Sequence, residues 1–141
     1  MGKLAAIIAT AAAVTALTAV PAQAEPVVVY QLSGTNRCLA DTGTDVVLKF
    51  CNRASNEQRW IVPVSDADWP HNIATRKCLA ASSTGEVRGQ TCSTSSTQRW
   101  RRVPPTGTSF QFRNLGTNKC LTAQVTVAAC TTSSPRWVGL R

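Results

Sequence analysis

The sequence predicts an all-β fold closed into a barrel with three-fold pseudosymmetry. Three observations predict it. One phrase occurs three times: Cys38-Leu39 leads to Cys51 and Gln58-Arg59-Trp60, Cys78-Leu79 to Cys92 and Gln98-Arg99-Trp100, and Cys120-Leu121 to Cys130 and Pro135-Arg136-Trp137. The leading cysteines stand 40 and 42 positions apart, a period that marks one supersecondary unit used repeatedly. The apolar runs between turns are short and β-branched or aromatic, such as Val27-Val28-Val29-Tyr30, Trp60-Ile61-Val62 and Phe110-Gln111-Phe112, which is strand composition. Turn-prone clusters separate them, among them Ser33-Gly34-Thr35-Asn36, Ser82-Ser83-Thr84-Gly85 and Leu115-Gly116-Thr117-Asn118. Units of this size cannot bury their own apolar faces, and three of them suit a closed barrel better than an open stack.

The N-terminal segment reads differently. Lys3 precedes an apolar run from Leu4 to Val20, and Pro21-Ala22-Gln23-Ala24 supplies small residues at a cleavage site. This is the pattern of an export signal covering residues 1–24. The run is shorter than the roughly 20 apolar residues a membrane span requires, and it is interrupted by Thr10, Thr15 and Thr18. A secreted mature chain from Glu25 to Arg141, with no membrane span, is the expectation. It forms one domain whose lobes cover about 27–63, 64–103 and 104–141.

Within each lobe the residues take definite roles. Leu39, Leu79 and Leu121 point inward. In a strand, Gln and Trp of Gln-x-Trp share a face, so Trp60, Trp100 and Trp137 anchor the core while Arg59, Arg99 and Arg136 face solvent. A buried glutamine amide needs partners; Gln58 and Gln98 find them in the neighbouring loop, and Pro135 cannot. Trp69, outside the repeat, fills the barrel mouth where Pro70 replaces the apolar residue matched by Tyr30 and Phe112.

Six cysteines in a small exported domain imply disulfides, with about fifteen possible connectivities. The repeat favours Cys38–Cys51, Cys78–Cys92 and Cys120–Cys130. A zinc site is disfavoured, since no C-x-x-C occurs and His71 is the sole histidine; neither metal nor cofactor is expected. Without residues 1–24 the chain keeps 14 basic residues against 7 acidic. That balance favours encounters with anionic polymers or surfaces but specifies no nucleic-acid site. Arg99, Arg101 and Arg102 form the densest basic cluster. No Gly-x-Ser-x-Gly elbow accompanies His71, and the acids do not form the facing pair that glycoside hydrolysis needs. Catalysis is not expected.

Taken together, the registered Cys-Leu, the second Cys ten to fourteen positions on and the closing Gln-x-Trp resemble the ricin B-type lectin family of β-trefoils, over essentially the whole mature chain. The resemblance implies twelve strands in six hairpins, three shallow pockets, and carbohydrate binding as a free lectin or as a module of an enzyme or toxin. In sugar-binding members a lobe places Asp directly after Cys-Leu, an aromatic residue two before the second Cys, and Asn before the Gln. Here those positions hold Ala40, Ala80 and Thr122; Lys49, Gln90 and Ala128; and Glu57, Thr97 and Ser134.

Lobe one departs least. Asp41 and Phe50 stand one position from the usual places, and Asn56 and Glu57 lie beside Gln58. Asp41, Phe50, Asn56, Glu57 and Gln58 are therefore the candidate carbohydrate-binding residues. The partner expected is a carbohydrate, including cell-surface or anionic glycans. The alternative is a protein-interaction or enzyme-inhibitor trefoil that has lost sugar binding and docks a secreted protein.

Overall fold

The computed structural model describes residues 2, 11–14, 16–21, 24–63 and 65–141. The export-signal reading falls in large part on residues 1, 3–10, 15, 22 and 23, which lie outside the described residues. Of the described residues before Glu25, Val14, Leu17 and Val20 are exposed and none joins the core.

Among the described residues twelve strands form, four from each lobe, and no α-helix. Lobe one supplies β1 (Val27–Leu32), β2 (Arg37–Asp41), β3 (Val46–Phe50) and β4 (Trp60–Ile61). Lobe two supplies β5 (His71–Asn72), β6 (Cys78–Ala81), β7 (Val87–Gln90) and β8 (Trp100–Val103). Lobe three supplies β9 (Gln111–Asn114), β10 (Cys120–Leu121), β11 (Val127–Ala128) and β12 (Trp137–Leu140). The first and fourth strands of each lobe build the barrel wall. β1 pairs β4, β4 pairs β5, β8 pairs β9 and β12 returns to β1. The bridges Asp68–Trp100 and Phe110–Trp137 complete the ring. The middle strands of each lobe form the hairpins β2–β3, β6–β7 and β10–β11. This is a β-trefoil.

The repeated residues hold it together. Trp60, Trp100, Trp137, Leu39, Leu79 and Leu121 are fully buried. Each indole N–H donates to the carbonyl of the leucine in its own lobe: Leu39 at 3.2 Å, Leu79 at 2.9 Å and Leu121 at 3.4 Å. A buried tryptophan thus keeps its polar edge satisfied while its apolar area contributes on the order of 5 kcal/mol before entropy costs. Tyr30 and Phe112 pack at 4.9 Å, and Phe112 and Trp100 at 5.2 Å, between ring centroids.

The disulfides pair as the repeat implies, with Cα–Cα distances of 4.9, 5.0 and 5.0 Å. Beside the first two, the glutamine amides bind the flanking backbone. Gln58 donates to the Phe50 carbonyl at 2.9 Å and accepts from the Asn52 N–H at 2.8 Å. Gln98 does the same with Thr91 and Ser93. In lobe three Pro135 has no such amide, and the hydroxyl of Ser134 accepts from the Thr131 N–H at 2.8 Å instead.

Trp69 departs from its expected place. Pro70 takes the inward position, while Trp69 sits half-buried on the outer wall, edge-on to His71 at 6.5 Å with the Arg99 guanidinium 5.5 Å from its ring centroid. The barrel mouth is occupied by Tyr30, Asp68 and Arg102. Residues 68 and 69 face opposite sides of an extended chain, and pairing with Trp100 turns Asp68 inward.

Candidate functional site

In lobe one, β2, β3 and the 3₁₀ turn Asn56–Gln58 enclose a surface hollow of about 440 Å³. Arg37, Lys49, Phe50, Ser55 and Glu57 line it, and Gln58 lies at its base. Phe50 is 67% exposed. It stands directly across from Arg37 in the β2–β3 register, and the guanidinium lies 3.9 Å from its ring centroid. Lys49 Nζ donates to Glu57 Oε2 at 2.6 Å. The hollow therefore offers an aromatic face, two cations and a carboxylate, all within reach of solvent.

The other candidates lie elsewhere. The Asn56 side chain is exposed, outside the hollow's lining, and accepts from an Arg59 terminal nitrogen at 3.2 Å. Asp41 is only 2% exposed. Its Oδ1 accepts from the Gly43 N–H at 2.9 Å and its Oδ2 from the Thr75 hydroxyl at 2.7 Å. It ties the tip of the lobe-one hairpin to lobe two, where Lys77 also donates to the Gly43 carbonyl at 3.2 Å. Gly89 makes this fit possible, since a Cβ there would stand 2.3 Å from Asp41 Oδ2. Phe50, Glu57 and Gln58 are thus brought together, while Asn56 and Asp41 serve neighbouring contacts. Asp41 is the last residue of a regular strand opposite Val46, so its one-position offset turns it off the face of residue 40.

A second hollow, of about 570 Å³, borders lobe three between Val103, Gln111, Thr131 and Arg136. Arg136 is its one charged group and is engaged through Nε with the Ser109 hydroxyl at 2.7 Å. In lobe two, ligand atoms of His71, Cys78 and Cys92 lie within 4.8 Å of one another, but the disulfide commits both sulfurs.

A third hollow, of about 510 Å³, opens at the barrel mouth. At its floor the Tyr30 hydroxyl donates to Asp68 Oδ2 at 2.7 Å, and Arg102 reaches the same oxygen through Nε and Nη2, both at 2.8 Å. Burial, reinforced by the Asp68 charge, pushes the Tyr30 hydroxyl well above its ordinary pKa. Burial opposes the charge on Arg102, but the hydrogen bond to Asp68 and the neighbouring charges outweigh it and raise its pKa. Sequence reasoning named Arg102 only as a member of the basic cluster and missed its pairing with Asp68. The signal available was two charged residues at positions that the other lobes fill with Val28 and Phe110, and with Val62 and Gly139.

Comparisons place this geometry among known proteins. The sequence model described as ricin-type beta-trefoil lectin domain matches residues 26–137. No curated protein matches the sequence. A lectin of Polyporus squamosus, solved with the human-type influenza-binding epitope Neu5Acα2-6Galβ1-4GlcNAc, superposes with a TM-score of 0.68 at 13% identity over 83% of this chain. This chain spans 49% of that one, about half its length. SeviL, solved with the asialo-GM1 saccharide, superposes at 0.64 with 15% identity, over 84% of this chain and 98% of that one. The designed three-fold symmetric protein ThreeFoil superposes at 0.68 with 12% identity, over 82% and 98%. At these identities the likeness establishes the fold.

Proposed function

The chain belongs to the ricin-type beta-trefoil lectin domain family, and from that premise we propose that it is an exported, non-catalytic carbohydrate-binding module whose lobe-one hollow holds the sugar. The observation that carries this reading is Phe50, an aromatic ring 67% exposed beside a braced disulfide loop and flanked by hydrogen-bonding charges. The C–H face of a pyranose packs on such a ring. Glu57 accepts from sugar hydroxyls, while Lys49 and Arg37 donate. Gln58 fixes the backbone on either side of Cys51, so the hollow is preformed. Asn56 holds Arg59, and Asp41 holds the hairpin against lobe two. With Arg37 and Lys49 outnumbering Glu57, anionic glycans are favoured over neutral ones.

Export rests on the leader composition of residues 1–24 and on three disulfides, which persist in oxidising compartments. The test is a broad glycan array with the oxidised protein at two salt concentrations. Saturable binding is expected, with Phe50→Ala weakening it at least about tenfold, ~1.4 kcal/mol, at unchanged thermal stability. A blank array with folded protein rejects the reading.

A second reading is a protein-docking or inhibitor trefoil. It is favoured by Ala40, fully buried where sugar-binding relatives place Asp, and by Lys49 in an ion pair where they place an aromatic ring. A blank array together with a stoichiometric secreted protein partner in a pull-down selects it.

A further inference from the structure

Lobe two breaks the three-fold pattern at the barrel mouth, and does so twice. Val28, Asp68 and Phe110 occupy equivalent positions, each paired with the tryptophan of its wall: Trp60, Trp100 and Trp137. Two residues after those tryptophans stand Val62, Arg102 and Gly139. Lobes one and three fill both positions with apolar or small residues, and lobe two fills both with charge. The two departures match each other, because Arg102 Nε and Nη2 both reach Asp68 Oδ2. Lobe three accommodates them: a Cβ on Gly139 would stand 3.1 Å from Arg102 Nη1. Phe110 lies under the guanidinium, 4.7 Å from ring centroid to Cζ. Packing alone does not call for such a pair, since well-packed apolar residues in place of a buried ion pair are often neutral or stabilising.

What the pair adds is a polar floor to the hollow above it. Asp68 engages Nε and Nη2 of Arg102; among the described residues Nη1 makes no hydrogen bond. Arg101 and Arg141 bring further guanidinium groups to the same hollow, Asp66 an acceptor, and Pro26 and Pro63 an apolar wall. Its volume of about 510 Å³ falls in the range of small-ligand sites. A fork of guanidinium donors matches a carboxylate, a carboxylate such as Asp66 accepts from hydroxyls, and proline rings meet C–H faces. We propose that the barrel mouth is a separate binding site for a sugar acid, a pyranose-sized ring carrying a carboxylate. It shares no lining residue with the lobe-one hollow and does not depend on that hollow being occupied.

The test is amide chemical-shift titration of the ¹⁵N-labelled, oxidised protein with glucuronate, glucose and inorganic sulfate in parallel. Glucuronate is expected to shift Ala67, Asp68, Arg102 and Gly139 saturably, with glucose and sulfate each at least tenfold weaker. Arg101→Ala, at an exposed position, is expected to weaken glucuronate at least tenfold at unchanged melting temperature. Equal binding of glucose or of sulfate overturns the proposal, as do shifts confined to Phe50 and Glu57, or no shifts. If Arg101→Ala alters folding, Arg101→Gln, which keeps the stem and removes the charge, supplies the second reading: affinity for glucuronate retained there would also overturn the assignment.

Discussion

The hydroxyl of Tyr30, itself fully buried, donates to Asp68 at the floor of the barrel-mouth hollow, and it does so in a chain with one tyrosine. Its ionisation would place a buried phenolate beside the Asp68 carboxylate. The folded-state pKa is therefore held well above the ordinary value of 10.0, chiefly by burial and then by Asp68. The sign follows from linkage. A group whose folded pKa is raised contributes stability that is fully present below its unfolded pKa and is lost as pH rises from about 10 through the folded value. The single tyrosine makes this measurable, since tyrosinate absorbance reads Tyr30 alone. The folded protein is expected to titrate well above pH 10 and the chain in guanidinium near 10; coincident midpoints would contradict the buried contact. The aromatic character of position 30 was legible in its apolar run. Its partner was not, because Asp68 lies 38 positions away and reaches it only once the barrel is closed.

At the scale of elements, the loop after each second cysteine is braced by a side chain from the turn preceding the tryptophan. Gln58 and Gln98 each satisfy one backbone N–H and one carbonyl, while Ser134 satisfies one N–H. A typical intramolecular hydrogen bond contributes about 0.5–1.5 kcal/mol net. Gln98→Ala, which removes two, should then cost roughly 1–3 kcal/mol, and Ser134→Ala, which removes one at a more accessible site, about 1 kcal/mol or less. Denaturant unfolding of both variants checks this, and equal losses would mean that the glutamine does not brace the loop. Burial of both the glutamine and the tryptophan was readable from Gln-x-Trp, but the strand assumed for it begins only at the tryptophan: each glutamine ends a 3₁₀ turn, and the turn aims its amide at the loop. The inter-lobe staples were not readable. Asn72 donates to the Glu57 carbonyl at 2.7 Å and Asn114 to the Thr97 carbonyl at 2.7 Å, each capping its own turn through Oδ1. In the sequence they are turn-flanking asparagines like several others. Asp41 was legible as a residue of interest, but its direction depended on strand regularity: the hairpin stays regular through Asp41–Val46 and turns it to lobe two.

For the whole molecule, the repeat made the architecture legible because all three lobes contribute the same residues at the same register. What differs between lobes was harder to read. The basic cluster Arg99, Arg101 and Arg102, contiguous in sequence but for Trp100, is divided by the strand: Arg99 covers Trp69, while Arg101 and Arg102 both line the barrel-mouth hollow, Arg102 through its contact with Asp68. Closure of the barrel by β1 on β12 makes the lobes one cooperative unit, so damage to one should be felt by all. The three disulfides close separations of 13, 14 and 10 residues, and each is expected to contribute about 3 kcal/mol through the unfolded chain. The loop-entropy difference between the longest and shortest is only about 0.3 kcal/mol. Larger inequalities therefore report on the native state. Lobe three lacks the glutamine brace, so its loop depends more on Cys120–Cys130. The paired variant Cys120→Ser/Cys130→Ser is expected to lose more stability than Cys78→Ser/Cys92→Ser, each melting in a single transition lowered by on the order of 10 °C. Calorimetry of the two decides it. Two resolved transitions would show that the lobes unfold independently, and a smaller loss in lobe three would show that Ser134 alone replaces the glutamine.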